Sequence, residues 1–90
     1  MPTVVDLTLV SRARRVLHQL LEERGLGFFL LPTSRLPRLD ARRIGWVVEA
    51  ARRSASPHAR RDPNALSRTR RVVRRELIRR LSEAMMQAGL

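Results

Sequence analysis

The chain of 90 residues contains no cysteine, lysine or tyrosine, and its only aromatic residues are Phe28, Phe29 and Trp46. The absence of cysteine excludes disulfides, thiolate chemistry and the usual zinc sites, and it is compatible with the reducing cytoplasm that we expect to house the protein. With so few aromatic residues, the core must consist of leucine, valine, isoleucine and alanine. No apolar run reaches the roughly 18–20 residues that span a bilayer, so we expect no membrane partner.

Sequence patterns for catalysis and cofactor binding are also missing. Ser56, His58 and Asp62 are the residue types of a nucleophilic triad, but they fall in one short loop and no oxyanion-hole motif accompanies them. The two histidines, His18 and His58, have neither cysteines nor clustered carboxylates with which to hold a metal. No glycine-rich phosphate loop is present. We therefore predict a protein that is not an enzyme and that takes no cofactor, metal or small-molecule substrate.

Positive charge is what the sequence has in excess. All nineteen basic residues are arginine, against eight acidic residues, for a formal net charge of +11. A GC-rich genome is one explanation for arginine in place of lysine, but it does not explain the excess of cations over acids. The net charge is +1 over residues 1–31, +5 over 32–64 and +5 over 65–90. Because such a charge repels itself in a small domain, we expect a polyanionic partner that binds the last two thirds of the chain.

Hydrophobic periodicity predicts a mainly α fold, a small three-helix bundle that forms a single basic helical domain over residues 1–90. The first helix is expected over about residues 6–24, where apolar residues recur every three or four positions and Gly25 follows as a stop. The second is expected over 40–53, beginning at Asp40. The third is expected over 63–88, between Asp62 and Gly89, and is long enough for part of it to project.

The segments between these helices are less regular. Residues 26–31 are expected to form a short extended segment, either a strand or a plug on the first helix, and Leu36 and Leu39 are expected to fold back onto the core. Residues 3–9 are also compatible with a short strand that leads into a helix capped by Ser11. That start, with the helix closing at residues 21–26, resembles the opening of ribbon-helix-helix DNA-binding proteins. The resemblance covers about 25 residues and stops at residues 27–32, where that fold needs a second helix.

The third predicted helix separates into an apolar and a basic side. Arginines spaced i, i+3, i+7 and i+11 fall within about 80° of one another on a helical wheel, opposite the apolar residues. Neighbouring members lie one turn apart, roughly 5–6 Å, which is close to the spacing of phosphates along a nucleic-acid strand. An exposed basic face without a specific ligand is the alternative. We call this set the arginine ladder, and it comprises Arg68, Arg71, Arg75 and Arg79.

A second candidate contact lies on the second predicted helix. Trp46 falls among arginines on the wheel rather than with the apolar residues, so it could stack on a base or on a guanidinium. The alternative is that Trp46 packs against the first or third helix, as a single tryptophan in a small protein commonly does. Further arginines extend this basic surface around the helix and the following loop, namely Arg42, Arg43, Arg53, Arg60 and Arg61.

These patterns favour a nucleic-acid-binding helical subunit that grips backbone phosphates of RNA or DNA, as a positioning component of a larger nucleoprotein or ribonucleoprotein complex. Other protein subunits or a self-dimer are expected as further partners. Two alternatives stay open. One is a protein-interaction module, such as an antitoxin, phage inhibitor or adaptor, that binds an acidic protein and uses Met85, Met86 and Leu90 as an apolar end. The other is a dimeric DNA-binding regulator.

Overall fold

Three helices that pack against one another form the fold. The structure is a computed structural model that describes residues 4–33, 35–55 and 62–89, with side chains described from residue 9 onward. Helix α1 spans Val4–Arg24, α2 spans Ala41–Arg53 and α3 spans Pro63–Gln87. Each helix contacts both of the others, so the predicted three-helix bundle is confirmed.

Side-chain caps and glycines set the helix ends where the sequence places them. An Asp40 carboxylate oxygen accepts the backbone N–H of Arg42 at 2.9 Å, and Asp62 accepts the backbone N–H of Asn64 at the same distance. Each bond satisfies one of the amide donors that a helix leaves unpaired at its start. At the other ends, Gly25 after α1 has φ +80°, a backbone conformation that costs glycine little.

The segment after α1 differs from the predicted extended run over residues 26–31. Leu26–Phe29 form a turn of 3-10 helix, and Leu30 is extended, making an isolated antiparallel bridge with Leu39. The run is too short to build a strand ladder. The Leu30 N–H bonds locally, to the Gly27 carbonyl at 3.1 Å, whereas the backbone N–H of Asp40 donates to the Phe29 carbonyl at 2.7 Å. As a result, Phe29 is fully buried while the neighbouring Phe28 stays half-buried.

The start of α1 decides between the two readings of the amino-terminal residues. Because α1 begins at Val4, the alternative of a strand over residues 3–9 is wrong from residue 4 onward. The described chain therefore lacks the strand on which the resemblance to ribbon-helix-helix proteins depended.

Aliphatic side chains and alanines fill the core, as the composition requires. Leu9 and Leu17 from α1, Val47 from α2 and Leu77 from α3 are completely buried, and Phe29 closes the core. The fully buried hydroxyl of Thr69 donates to the Ala65 carbonyl at 2.7 Å, so this polar group is satisfied within its own helix. The expectation for Leu39 is confirmed, since it packs against the core, but that for Leu36 is wrong, since it is 74% exposed.

The carboxyl-terminal part of α3 extends past the bundle. All of residues 82–89 are exposed, including Ala84 and Ala88. Among the described residues, no helix is both long and apolar enough to cross a bilayer.

Candidate nucleic-acid interface

The arginine ladder lies on the side of α3 that faces away from the core. Ala65, Thr69, Val73 and Leu77 form the buried side of this helix. All four ladder arginines are exposed. The helix thus presents guanidiniums about one turn apart along a surface that no other part of the bundle covers.

Two glutamates of α3 engage one end of the ladder. Glu76 accepts a hydrogen bond from Arg79 Nη2 at 2.5 Å, and Arg79 Nη1 lies 3.4 Å from Glu83. Glu76 is also 3.4 Å from Arg80 Nε, although that contact lacks the alignment of a hydrogen bond. The hydrogen bond from Arg79 lowers the pKa of Glu76, while partial burial of the carboxylate opposes this shift. Arg79 is therefore balanced by carboxylates of its own helix.

The middle of the ladder has no such compensation. Within the described ranges, Arg71 and Arg75 make no ion pair with any carboxylate. Their charges are available to an external anion without first breaking an intramolecular contact. The structure thus ranks the ladder: Arg71 and Arg75 are open to a ligand, and Arg79 is partly occupied.

The acidic side chains of α2 and of its N-cap are also engaged by residues of the same helix. Glu49 is bonded by the Arg52 guanidinium, with Nε 3.0 Å and 3.1 Å from the two carboxylate oxygens, and this bond lowers the pKa of Glu49. Asp40 caps α2 and lies 4.0 Å from Arg43 Nε. Because these contacts join residues two or three apart, they balance the negative charge within one helix instead of bridging the helices. What reaches outward from α2 and α3 is mainly positive.

On α2, the structure places Trp46 at the surface instead of in the core. The side chain is 57% exposed, opposite the buried Ile44, Val47, Val48 and Ala51. A tryptophan buries about 150–250 Å² when covered, so at about 25 cal/mol per Å² this exposure forgoes about 2–4 kcal/mol of hydrophobic stabilisation.

The indole of Trp46 contacts an arginine, as the wheel allowed, and a phenylalanine that the wheel did not predict. The Arg43 guanidinium carbon lies 4.0 Å from the centre of the Phe28 ring and 4.5 Å from that of the Trp46 ring. The two rings are 6.3 Å apart and inclined at 52°, so the guanidinium sits in the angle between them. We refer to Phe28, Arg43 and Trp46 as the Trp46 cluster. The sequence did not predict a role for Phe28 at this surface, because Phe28 belongs to the 3-10 turn, far from α2 along the chain.

The remaining predicted site residues divide into two groups. Arg42 and Arg53 are exposed on α2, and Arg53 borders an open depression next to Trp46 that Glu49 and Ala50 also line. Arg60 and Arg61 lie outside the described residues. The Trp46 cluster and the arginine ladder therefore form two outward surfaces, on α2 and on α3, each opposite the core-facing side of its helix.

An apolar groove separates α2 from α3 on one side of the bundle. Leu39, Ile44, Ile78 and Leu81 line it, with Arg38 and Arg74 also at its walls. Ile78 is 46% exposed there, so the groove leaves apolar surface in contact with solvent.

Because the comparisons with known proteins found no match, these surfaces are interpreted from their geometry and charge alone. The surfaces contain exposed guanidiniums in a row, one exposed indole and no enclosed catalytic cleft among the depressions described above. The chain matches no protein-family model, no curated protein sequence and no solved structure.

Proposed function

We propose that this protein is a non-enzymatic nucleic-acid-binding subunit that grips backbone phosphates through the arginine-rich faces of α3 and α2. In this function it positions RNA or DNA within a larger nucleoprotein or ribonucleoprotein complex. Planar guanidiniums suit this task because each can donate two hydrogen bonds to one phosphate.

The observation that carries the proposal is that, in the part of the chain that the structure describes, the carboxylates of α2 and α3 are paired with arginines while some arginines are not paired with carboxylates. The described carboxylates of α2 and α3 bind arginines of the same helix, whereas Arg71 and Arg75 project outward without a carboxylate partner in the described residues. Like charges one turn apart destabilise a helix by a few tenths of a kcal/mol per pair. A polyanion that bridges successive guanidiniums would remove this repulsion and gain phosphate contacts at the same time.

The experiment is fluorescence anisotropy of labelled duplex DNA, single-stranded DNA and single-stranded RNA titrated with the protein over roughly 50–300 mM salt. We expect binding whose logarithmic dependence on salt has a slope of about −4 to −7, which corresponds to several phosphate contacts. Absence of binding to all three ligands at the lowest salt would refute the proposal.

A protein-interaction module is the second candidate, and the end of α3 is the observation that favours it. Met86 is 77% exposed and Met85 is 36% exposed on the projecting turns, where flexible thioethers can adapt to a partner surface. Competition distinguishes the two functions. A non-specific polyanion should displace a nucleic acid held by phosphate contacts, whereas an acidic protein partner packed on the methionines should resist such displacement.

A further inference from the structure

The Trp46 cluster leaves one side of its indole free for a ligand. Arg43 lies one turn before Trp46 on α2 and covers the indole from that side. Glu49, Ala50 and Arg53 follow Trp46 by one and two turns, and with it they line an open depression of about 270 Å³. Neither Phe28 nor Arg43 lines this depression, and Trp46 is 57% exposed, so part of the indole is open to solvent on the side of the depression.

The lining of this depression suits a flat group attached to an anionic chain. The indole supplies an aromatic wall and Ala50 leaves room beside it. Arg53 lies at one end and Arg42 lies one turn before Trp46, both exposed. The carboxylate of Glu49 is bonded to Arg52, which reduces its repulsion toward an anion.

We propose that Trp46 is a stacking platform for an unpaired base, and that the ligand of this surface is therefore single-stranded nucleic acid. A base would stack on the open side of the indole while Arg42 and Arg53 contact the flanking phosphates. Arg43, lodged between Phe28 and Trp46, holds the indole in place before the ligand arrives. This inference rests on the nucleic-acid binding proposed above.

A duplex does not fit this surface in the same way. Its bases are stacked on one another inside the duplex, so an indole on a convex helical face can reach phosphates, sugars and base edges but not the faces of the bases. Single strands expose the faces of their bases, and every base has such a face, so stacking of this kind tolerates any sequence.

Trp46 also provides the measurement, because it is the only tryptophan and the chain has no tyrosine. Intrinsic fluorescence of the wild-type protein is followed during titration with single-stranded RNA and DNA, with a duplex, and with an abasic strand of equal phosphate count. We expect strong quenching by both base-bearing single strands and little quenching by the duplex or the abasic strand. Equal quenching by the abasic strand would overturn the inference.

Two variants measured with a labelled single strand give an independent test. Trp46→Ala should weaken binding about 5- to 150-fold, the range expected for loss of one stacked base, while Trp46→Phe should recover part of that loss. Affinity for the abasic strand should be the same for both variants as for the wild type. Because Trp46 lies mostly outside the core, circular dichroism should show unchanged helix content in both variants.

The results separate this inference from the proposed function. Salt-dependent binding of all strands with no effect of Trp46→Ala would overturn the stacking platform and leave phosphate gripping intact. Failure to bind any nucleic acid would overturn both. Preference for base-bearing single strands over the abasic strand, lost in Trp46→Ala, would support both.

Discussion

The ranking of the arginine ladder can be tested by removing charges in matched pairs. The double variant Arg71→Gln, Arg75→Gln removes two exposed guanidiniums that have no carboxylate partner within the described ranges. The control, Arg14→Gln with Arg15→Gln, removes two exposed guanidiniums of α1, outside the proposed surfaces. Both variants lose the same net charge, so a difference between them reports on position alone.

The size of the effect follows from counterion release. Each phosphate contact contributes about 0.9 to the salt slope on duplex DNA and about 0.7 on a single strand. Loss of two contacts should therefore reduce the slope by about 1.8 or about 1.4. Measured against a 1 M salt reference, this corresponds to about 60-fold or about 25-fold weaker binding at 0.1 M salt.

Single variants test whether Arg79 contributes less to binding than Arg71 and Arg75 do. A phosphate must displace Glu76 and Glu83 before it can bind Arg79, so Arg79→Gln should cost less affinity than Arg71→Gln or Arg75→Gln. The assay is anisotropy of a labelled strand at a series of salt concentrations. Equal losses for the three single variants would refute the ranking within the ladder. An equal loss in the α1 control pair would refute the assignment of the site to this face of α3.

Three further predictions concern stability. Leu17→Ala should lower the free energy of unfolding by about 2–5 kcal/mol in urea denaturation, because Leu17 is completely buried; a loss under 1 kcal/mol would contradict the packing described. Asp62→Ala should lower it by about 0.5–2 kcal/mol through loss of the cap on Asn64, measured by thermal unfolding with Asp62→Asn as the conservative control. Arg79 lowers the pKa of Glu76 in the folded protein below the ordinary 4.5, so the ionised carboxylate stabilises the fold above that pH. The free energy of unfolding should therefore fall as the pH drops below about 4.5. Glu76→Gln should flatten that part of the plot of unfolding free energy against pH.

Much of the fold could be predicted from local signals. Capping residues mark the helix boundaries in the sequence itself. The second and third helices begin directly after Asp40 and Asp62, and the first and third end within two residues of Gly25 and Gly89. The segment over residues 26–31 could not be predicted in the same way. Its conformation depends on whether a distant strand partner exists, and over the ranges that the structure describes this partner is the single bridge of Leu30 to Leu39.

The candidate site shows the same division between local and distant information. The exposed side of α3 follows from its 3.6-residue period, so the ladder was accessible to sequence reasoning. The partial neutralisation of Arg79 depends on rotamers of Glu76 and Glu83, which sequence spacing permits without requiring. The position of Trp46 was undecided, because its contact with Phe28 joins segments that only the bundle brings together.

The overhang of α3 has a geometric consequence for whatever binds this protein. Because residues 82–87 continue α3 with exposed side chains, the direction in which each side chain points follows from its position along the helix. Met86 follows Arg75 by eleven residues, three full turns, so it emerges on the same side of α3 about 16 Å farther along the axis. One inserted residue would swing it by about 100° away from that line. The distance and the angle between the arginine ladder and the exposed Met86 are thereby fixed by one helix.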